Sequence, residues 1–250
     1  MSNREIRILA DPSEVALAGA AEVLAAAQKA VSDHGYFALA LSGGSTPKVL
    51  YGLLADDASF REKMPWSKTH FFWGDERHVP PDHPDSNFRM TQQAMLSKIT
   101  VPQENVHRIH GENPDAAAAA QEYETDLRRF FKLSSGAFPR LDLVLLGMGP
   151  DGHTASLFPG TPALKENKLI VTANPVAKFN TDRITMTYPT LNNASRIVFL
   201  VNGTDKAQPL REVLQGKSQP DLYPSQNIAP TNGTLLWLID RSAGSLLDQK

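Results

Sequence analysis

Short apolar runs alternate with stretches of helical periodicity along the whole 250-residue chain. Residues 6–10 read as a strand. Asp11-Pro12-Ser13-Glu14 then has the form of a helix start: Asp as cap, Pro at the first helical position, Glu three residues on from the cap. The alanine-rich stretch to about residue 31 carries that helix. A second apolar strand is expected over 36–41, followed by Ser42-Gly43-Gly44-Ser45-Thr46-Pro47 and a helix to about residue 54. A third strand over 69–73 opens into a polar loop at 74–87. Helices follow near 86–99 and 114–131. The strongest strand signal lies at 141–146, where five of six residues are Leu or Val. Further strands are expected at 170–173, 183–187, 197–201 and 235–239, with a helix over 205–214.

This alternation implies an α/β fold, Rossmann-like in kind, with a mostly parallel sheet flanked by helices. No internal repeat, low-complexity linker or composition shift divides the chain, so residues 1–250 read as a single domain. In open parallel sheets, ligands bind beyond the carboxyl ends of the strands. Three polar, glycine-bearing loops follow apolar strands, at 42–47, 74–87 and 147–158. The fold class predicts that they converge on one edge of the sheet.

Composition narrows the chemistry. The 25 basic and 27 acidic residues nearly cancel, with no block of like charge, which argues against a nucleic-acid or anionic-membrane surface. A local basic pocket for a phosphate stays compatible with a net charge of -2. There are no cysteines, which removes disulfides, thiolate metal sites and a cysteine nucleophile together. The N-terminal residues carry charges where a secretory segment needs an apolar run, and no uncharged apolar stretch of about 18 residues occurs. A cytoplasmic location is expected, and nothing points to a protein partner.

The loop chemistry is specific in its residue types. In the 42–47 loop, adjacent glycines allow a tight turn and close approach of an anion to the amides. Free N–H groups at the following helix start, with Ser45 and Thr46 hydroxyls, suit a phosphate. The alternative is a plain strand–helix turn. In the 74–87 loop, Asp75 and Glu76 sit just past an apolar strand, and Arg77 can grip a phosphate in a planar fork. A solvated loop with local ion pairs is the plainer alternative there, and His78 and His83 read as surface residues rather than metal ligands. In the 147–158 loop, Asp151-Gly152-His153 enters what reads as a short helix. Histidine takes a proton near neutral pH, and Asp151 stands two residues away, where it can orient the ring. Arg183, opening a strand, and Lys206, at a helix start, fall beside strand ends within reach of a phosphate.

Taken jointly, three segments resemble the 6-phosphogluconolactonase family: Ser42–Pro47; Gly74-Asp75-Glu76-Arg77 with Ser86-Asn87; and the run from Gly149-Pro150-Asp151-Gly152-His153 to Pro159. The resemblance spans essentially the whole chain. It implies hydrolysis of 6-phospho-D-glucono-1,5-lactone to 6-phosphogluconate, in the oxidative pentose phosphate pathway, with no cofactor and no metal. It makes His153 the base that activates water and Asp151 its support. It gives Gly43, Gly44, Ser45, Thr46 and Arg77 the phosphate, with Arg183 and Lys206 as further partners, and sets Asp75 and Asn87 at the sugar end.

Glucosamine-6-phosphate deaminases are similar in the Asp-Gly-His loop, but typically have a functional glutamate five residues after the histidine. Here that position is Phe158, and an apolar ring cannot move a proton. Arg77 also stands where deaminases usually have tyrosine. A sugar-phosphate sensor of the same fold and a metallohydrolase using Asp75, His78, His83 or His153 complete the alternatives. Turnover and chelation separate them from the lactonase reading.

Overall fold

The computed structural model describes residues 4–248. In chain order the elements are β1 (Arg4–Leu9), α1 (Pro12–His34), β2 (Phe37–Leu41), α2 (Ser45–Asp56), α3 (Ala58–Arg61), β3 (Thr69–Trp73), β4 (Asp75–Arg77), α4 (Asn87–Ala94), β5 (Val106–His107) and α5 (Ala116–Phe130). They continue with β6 (Leu143–Gly147), β7 (Val171–Val176), β8 (Thr181–Met186), α6 (Tyr188–Asn192), β9 (Arg196–Val201), α7 (Ala207–Gln215) and β10 (Thr234–Asp240). Short 3₁₀ turns lie between them.

The first helix forms for the reasons its sequence suggests. Asp11 accepts hydrogen bonds from the backbone N–H of Ser13 and Glu14, Pro12 occupies the first turn, and Gly35 closes the helix at φ 92°. Glu14 reaches back past the cap to accept from the Ala10 N–H at 2.8 Å. By length and composition α1 is apolar enough to cross a membrane. Its buried face of Val15, Ala16, Gly19, Ala20, Val23, Ala27 and Ala30 instead packs on α2 and on strands β2, β9 and β10. Small side chains on that face let the helix approach the sheet closely.

Among the described residues the main sheet has seven strands in the order β1-β10-β9-β6-β2-β3-β5, and every pairing in it is parallel. The core strands are continuous hydrophobic runs, such as Phe37–Leu41, buried at all five positions, as expected when helices cover both faces. Between β2 and β6 the winding reverses: β2 leads outward to β3, and β6 leads the other way to β9. That reversal is where an open α/β sheet leaves a crevice.

A second sheet, antiparallel in the order β4-β8-β7, is absent from the sequence reading. The 74–87 segment, expected to be loop throughout, begins with β4, which pairs with β8 at Asp75–Thr185, Glu76–Ile184 and Arg77–Arg183. Arg183 therefore stands third in β8 rather than opening a strand. The helix expected near 86–99 stops at Ala94 and gives way to a 3₁₀ turn at Leu96–Lys98. The short helix expected after Asp151-Gly152-His153 is absent; a turn closed by a Thr154–Leu157 bridge stands there. Gly152 holds φ 75°, and Ala155 holds φ 47° where only a helical φ would continue a helix.

Candidate active site

A cavity of about 450 Å³ lies over the winding reversal, within the range typical of small-molecule sites. Four adjacent strands, β9, β6, β2 and β3, send their C-terminal loops into it. Its lining includes residues 42–47, Asp75, Arg77, Asn87, Gly149, His153, Asn202 and Lys206. The three loops singled out by sequence thus converge, joined by a fourth at 202–206. Arg183 is the one predicted phosphate partner outside the lining.

Two buried tyrosines hold the ends of the strands that feed the site. Tyr51 of α2 accepts from the Ser42 N–H and donates to the Ser42 carbonyl, both at 2.9 Å. Tyr123 of α5 does the same for Trp73, accepting at 2.9 Å and donating at 3.1 Å. Each hydroxyl continues the ladder by one step where the strand has run out of a partner. Burial pushes both phenols up from their usual value, so both remain donors.

The 42–47 loop is a phosphate-sized cradle by its backbone. Gly44 caps α2 at φ 112° with no side-chain cap bond, so the first-turn amides have no intrahelical acceptor. Pro47 in that first turn forfeits an N–H that was unpaired anyway. Gly43 is required by proximity: a Cβ there would fall 2.0 Å from Asn87 Oδ1. The buried Ser42 Oγ, in the same lining, has no hydrogen-bond partner.

Glu76 organises the next wall. Its buried carboxylate accepts from the backbone N–H of Arg77 (2.8 Å), Asn87 (2.7 Å) and Phe88 (2.8 Å), and from Ser86 Oγ (3.1 Å). It thereby caps α4 from outside the helix, while burial raises its pKa against those hydrogen bonds. Asn87, at the α4 start, donates to the Asp75 carbonyl at 2.9 Å. Asp75 is buried and accepts from Ser156 Oγ at 2.6 Å, which ties the 74–87 and 147–158 segments together. Asp75 and Asn87 are therefore cavity residues fixed by their own network.

His153 and Asp151 form a dyad with Nδ1 to Oδ1 at 2.5 Å. Burial would raise the Asp151 carboxyl, but the His153 bond and charge, with Lys178 at 3.2 Å, outweigh it and hold the group well below the usual carboxylate range. The imidazole is stacked on Phe158 at 4.1 Å between centroids and lies against Gly149 on another side. Ser225 fastens the turn by donating Oγ to the Gly152 carbonyl at 2.8 Å, and Asn174 donates to the Ser156 carbonyl at 2.8 Å. Because Nδ1 faces Asp151, Nε2 is the ring nitrogen turned away from the carboxylate.

The cations converge from several elements. Arg77, across from Arg183 in the β4–β8 ladder, donates to the Asp85 carbonyl. Arg183 has Nε and Nη1 buried with no partner, and its guanidinium lies 5.2 Å over the Phe179 ring. Burial, then the neighbouring Arg77 cation, push Arg183 down from its usual value. Like charges facing each other across a ladder destabilise it, unless an anion joins them. Lys206 pairs with Asp205, and its loop is held by Asp240, which accepts from the Gly203 N–H at 3.1 Å.

No group of three or more His, Asp or Glu suited to a metal ion occurs among the described residues. His78 is engaged by the Asn113 carbonyl at 2.6 Å and His83 by Asp85. Residues overlooked by sequence reasoning are Ser156, Lys178, Tyr51 and the capping role of Glu76. Ser86-Asn87 after an acidic pair was a usable signal for the last. The others depend on contacts between distant segments.

Residues 10–237 match the family described as glucosamine-6-phosphate isomerases/6-phosphogluconolactonase. A 6-phosphogluconolactonase of Nostoc is 43% identical over 245 residues, covering 98% of each chain. One of Synechocystis is 45% identical over 219 residues, 88% of each chain. Among solved structures, the 6-phosphogluconolactonase of Trypanosoma brucei superposes with a TM-score of 0.88 at 29% identity, covering 99% of this chain and 100% of the other. A monomeric glucosamine-6-phosphate deaminase reaches a TM-score of 0.80 over 97% of this chain and 99% of the other, at 21% identity, which shows the shared fold.

Proposed function

The chain belongs to the family of glucosamine-6-phosphate isomerases and 6-phosphogluconolactonases, and from that premise we propose that it hydrolyses 6-phospho-D-glucono-1,5-lactone without a metal, with His153 as general base. The observation that carries the reading is one cavity joining a His–Asp dyad to an uncapped helix N-terminus flanked by Arg77 and Lys206. An imidazole nitrogen at one end and an anion cradle at the other suit a sugar ester with a distant phosphate.

In the proposed reaction, the first-turn amides of α2, the Ser45 and Thr46 hydroxyls, Arg77 and Lys206 hold the phosphate, with Arg183 as a further cation. Asp75 and Asn87 receive the sugar hydroxyls. Water adds to the lactone carbonyl carbon as its proton passes to His153 Nε2, and Asp151 stabilises the imidazolium. The ring C–O bond then breaks, and the proton moves from His153 to the departing ring oxygen. The products are a hydroxyl and a carboxylic acid, which ionises in water. General-base help of this kind is worth about 10²–10⁴-fold, and binding through the phosphate adds orientation.

Phe158 supports hydrolysis over deamination. Its apolar ring covers a face of the His153 imidazole, where a deaminase needs a second carboxyl. The proposal takes the chain as one domain, supported by a core in which α1, α2 and the central strands pack together.

The test is to generate the lactone in situ from glucose 6-phosphate and follow its loss above the spontaneous rate. Acceleration that survives exhaustive EDTA treatment and falls about 10²-fold or more in His153→Ala is expected. No acceleration by folded protein, or full activity in the variant, overturns the reading.

A further inference from the structure

The turn between β7 and β8 reaches back over the dyad. A 3₁₀ turn at Ala177–Phe179 and Asn180 at φ 49° reverse the chain there. The reversal carries two side chains onto the site. Lys178 Nζ lies 3.2 Å from Asp151 Oδ2, the oxygen that His153 does not use. Phe179 packs edge-on against Phe158 at 5.6 Å, and Phe158 is the ring on which His153 is stacked. Lys178 also lies 5.5 Å over the Phe179 ring, so the two contacts brace one another.

We propose that Lys178 is a positioning residue for the His153–Asp151 dyad, holding the carboxylate in the rotamer that orients the imidazole. This rests on the general-base reading of His153. A carboxylate with one oxygen free can rotate and release Nδ1; an ammonium on the second oxygen removes that freedom.

Other charges face the dyad from the elements around it. Asp75 and Arg77 of β4 and Asp205 and Lys206 of the 202–206 loop lie in the lining of the same cavity, and Arg183 of β8 is over Phe179. Among the described residues Lys178 is the cation bonded to Asp151. Its side chain is 59% exposed, so its influence is that of a solvent-screened pair. Such pairs are worth about 0.2–1 kcal/mol, which corresponds to at most about fivefold in a rate.

The experiment is kcat and KM at low ionic strength for wild type, Lys178→Met, Lys178→Arg and His153→Ala. In Lys178→Met kcat should fall by about two- to fivefold with KM unchanged, and Lys178→Arg should restore it. At about 1 M salt the screening length falls to about 3 Å, so the ratio of wild-type to Lys178→Met kcat should shrink toward one. A kcat in folded Lys178→Met that equals wild type at low salt overturns the proposal and leaves the general-base reading intact. Wild-type turnover in His153→Ala overturns that reading, and the proposal with it.

Discussion

Replacing Gly149 with alanine sets a Cβ 2.0 Å from both Cε1 and Nδ1 of His153. Ordinary contact begins near 3.4 Å, so the ring must withdraw by more than an ångström. It has little room. Buried Phe158 is stacked on the ring, and Asp151 holds Nδ1 at 2.5 Å. The backbone is not the obstacle, because Gly149 is absent from the glycines with positive φ. The substitution therefore acts on the position of the imidazole. A misplacement of about 1 Å can cost about 10²-fold in rate, whereas overpacking of this kind costs about 1–3 kcal/mol of stability. Gly149→Ala should fold, melt a few degrees lower and lose about two orders of magnitude in turnover of the lactone. It should still bind 6-phosphogluconate, because the α2 cradle and Arg77 belong to other segments. The assay is lactone loss above background, paired with thermal unfolding and product binding. Turnover within about twofold of wild type in the folded variant would falsify the claim that the imidazole must sit where Gly149 permits it.

Two further outcomes are expected. Arg77→Ala should raise KM about tenfold or more with a smaller change in kcat, because a phosphate contact made equally in ground and transition states mainly affects binding; an unchanged KM removes Arg77 from the phosphate site. His70 is lowered to about 4 from 6.5, by burial first and then by the His107 charge, with Nδ1 to Nε2 at 3.2 Å between the two rings. Because the folded pKa is depressed, its contribution to stability is present above about pH 6.5 and is lost as pH falls from there through 4; solvent screening of the half-buried ring keeps that loss to about 1–2 kcal/mol. Asp126, lowered chiefly by its bond to His107, acts in the same direction at lower pH. His70→Phe, set among Tyr36, Phe72 and Phe130 through the same cluster, should flatten the fall in melting temperature between pH 7 and 5. Parallel curves for variant and wild type would contradict this.

Much of the site was legible because its signals are local. The Asp11 cap, the Gly43-Gly44 turn into α2 and the Asp-Gly-His turn after β6 each depend on residues within a few positions of one another. Turn chemistry and periodicity act over that range, so the strands, the α/β class and the three loops could be read directly. The order of chemistry along the chain followed, with His153, Asp151, Arg77 and the 42–47 loop on successive strand ends. A short helix after His153 was a misreading, because Gly152 and Ala155 take left-handed backbone angles that their neighbours in sequence do not announce.

Tertiary structure decided what crosses between segments. The β4–β8 pairing sets Arg77 opposite Arg183 from more than a hundred residues away, and Ser156 reaches Asp75 across 81. Lys178 meets Asp151 because the β7–β8 reversal folds back over the dyad, although nothing local marks that pairing across a separation of 27. Such contacts depend on register between strands and on which face a side chain meets. A one-residue slip would invert that face, and the packing of the whole sheet selects against the slip. Local sequence specifies the turns and the reactive groups; the assembled sheet specifies which of them meet.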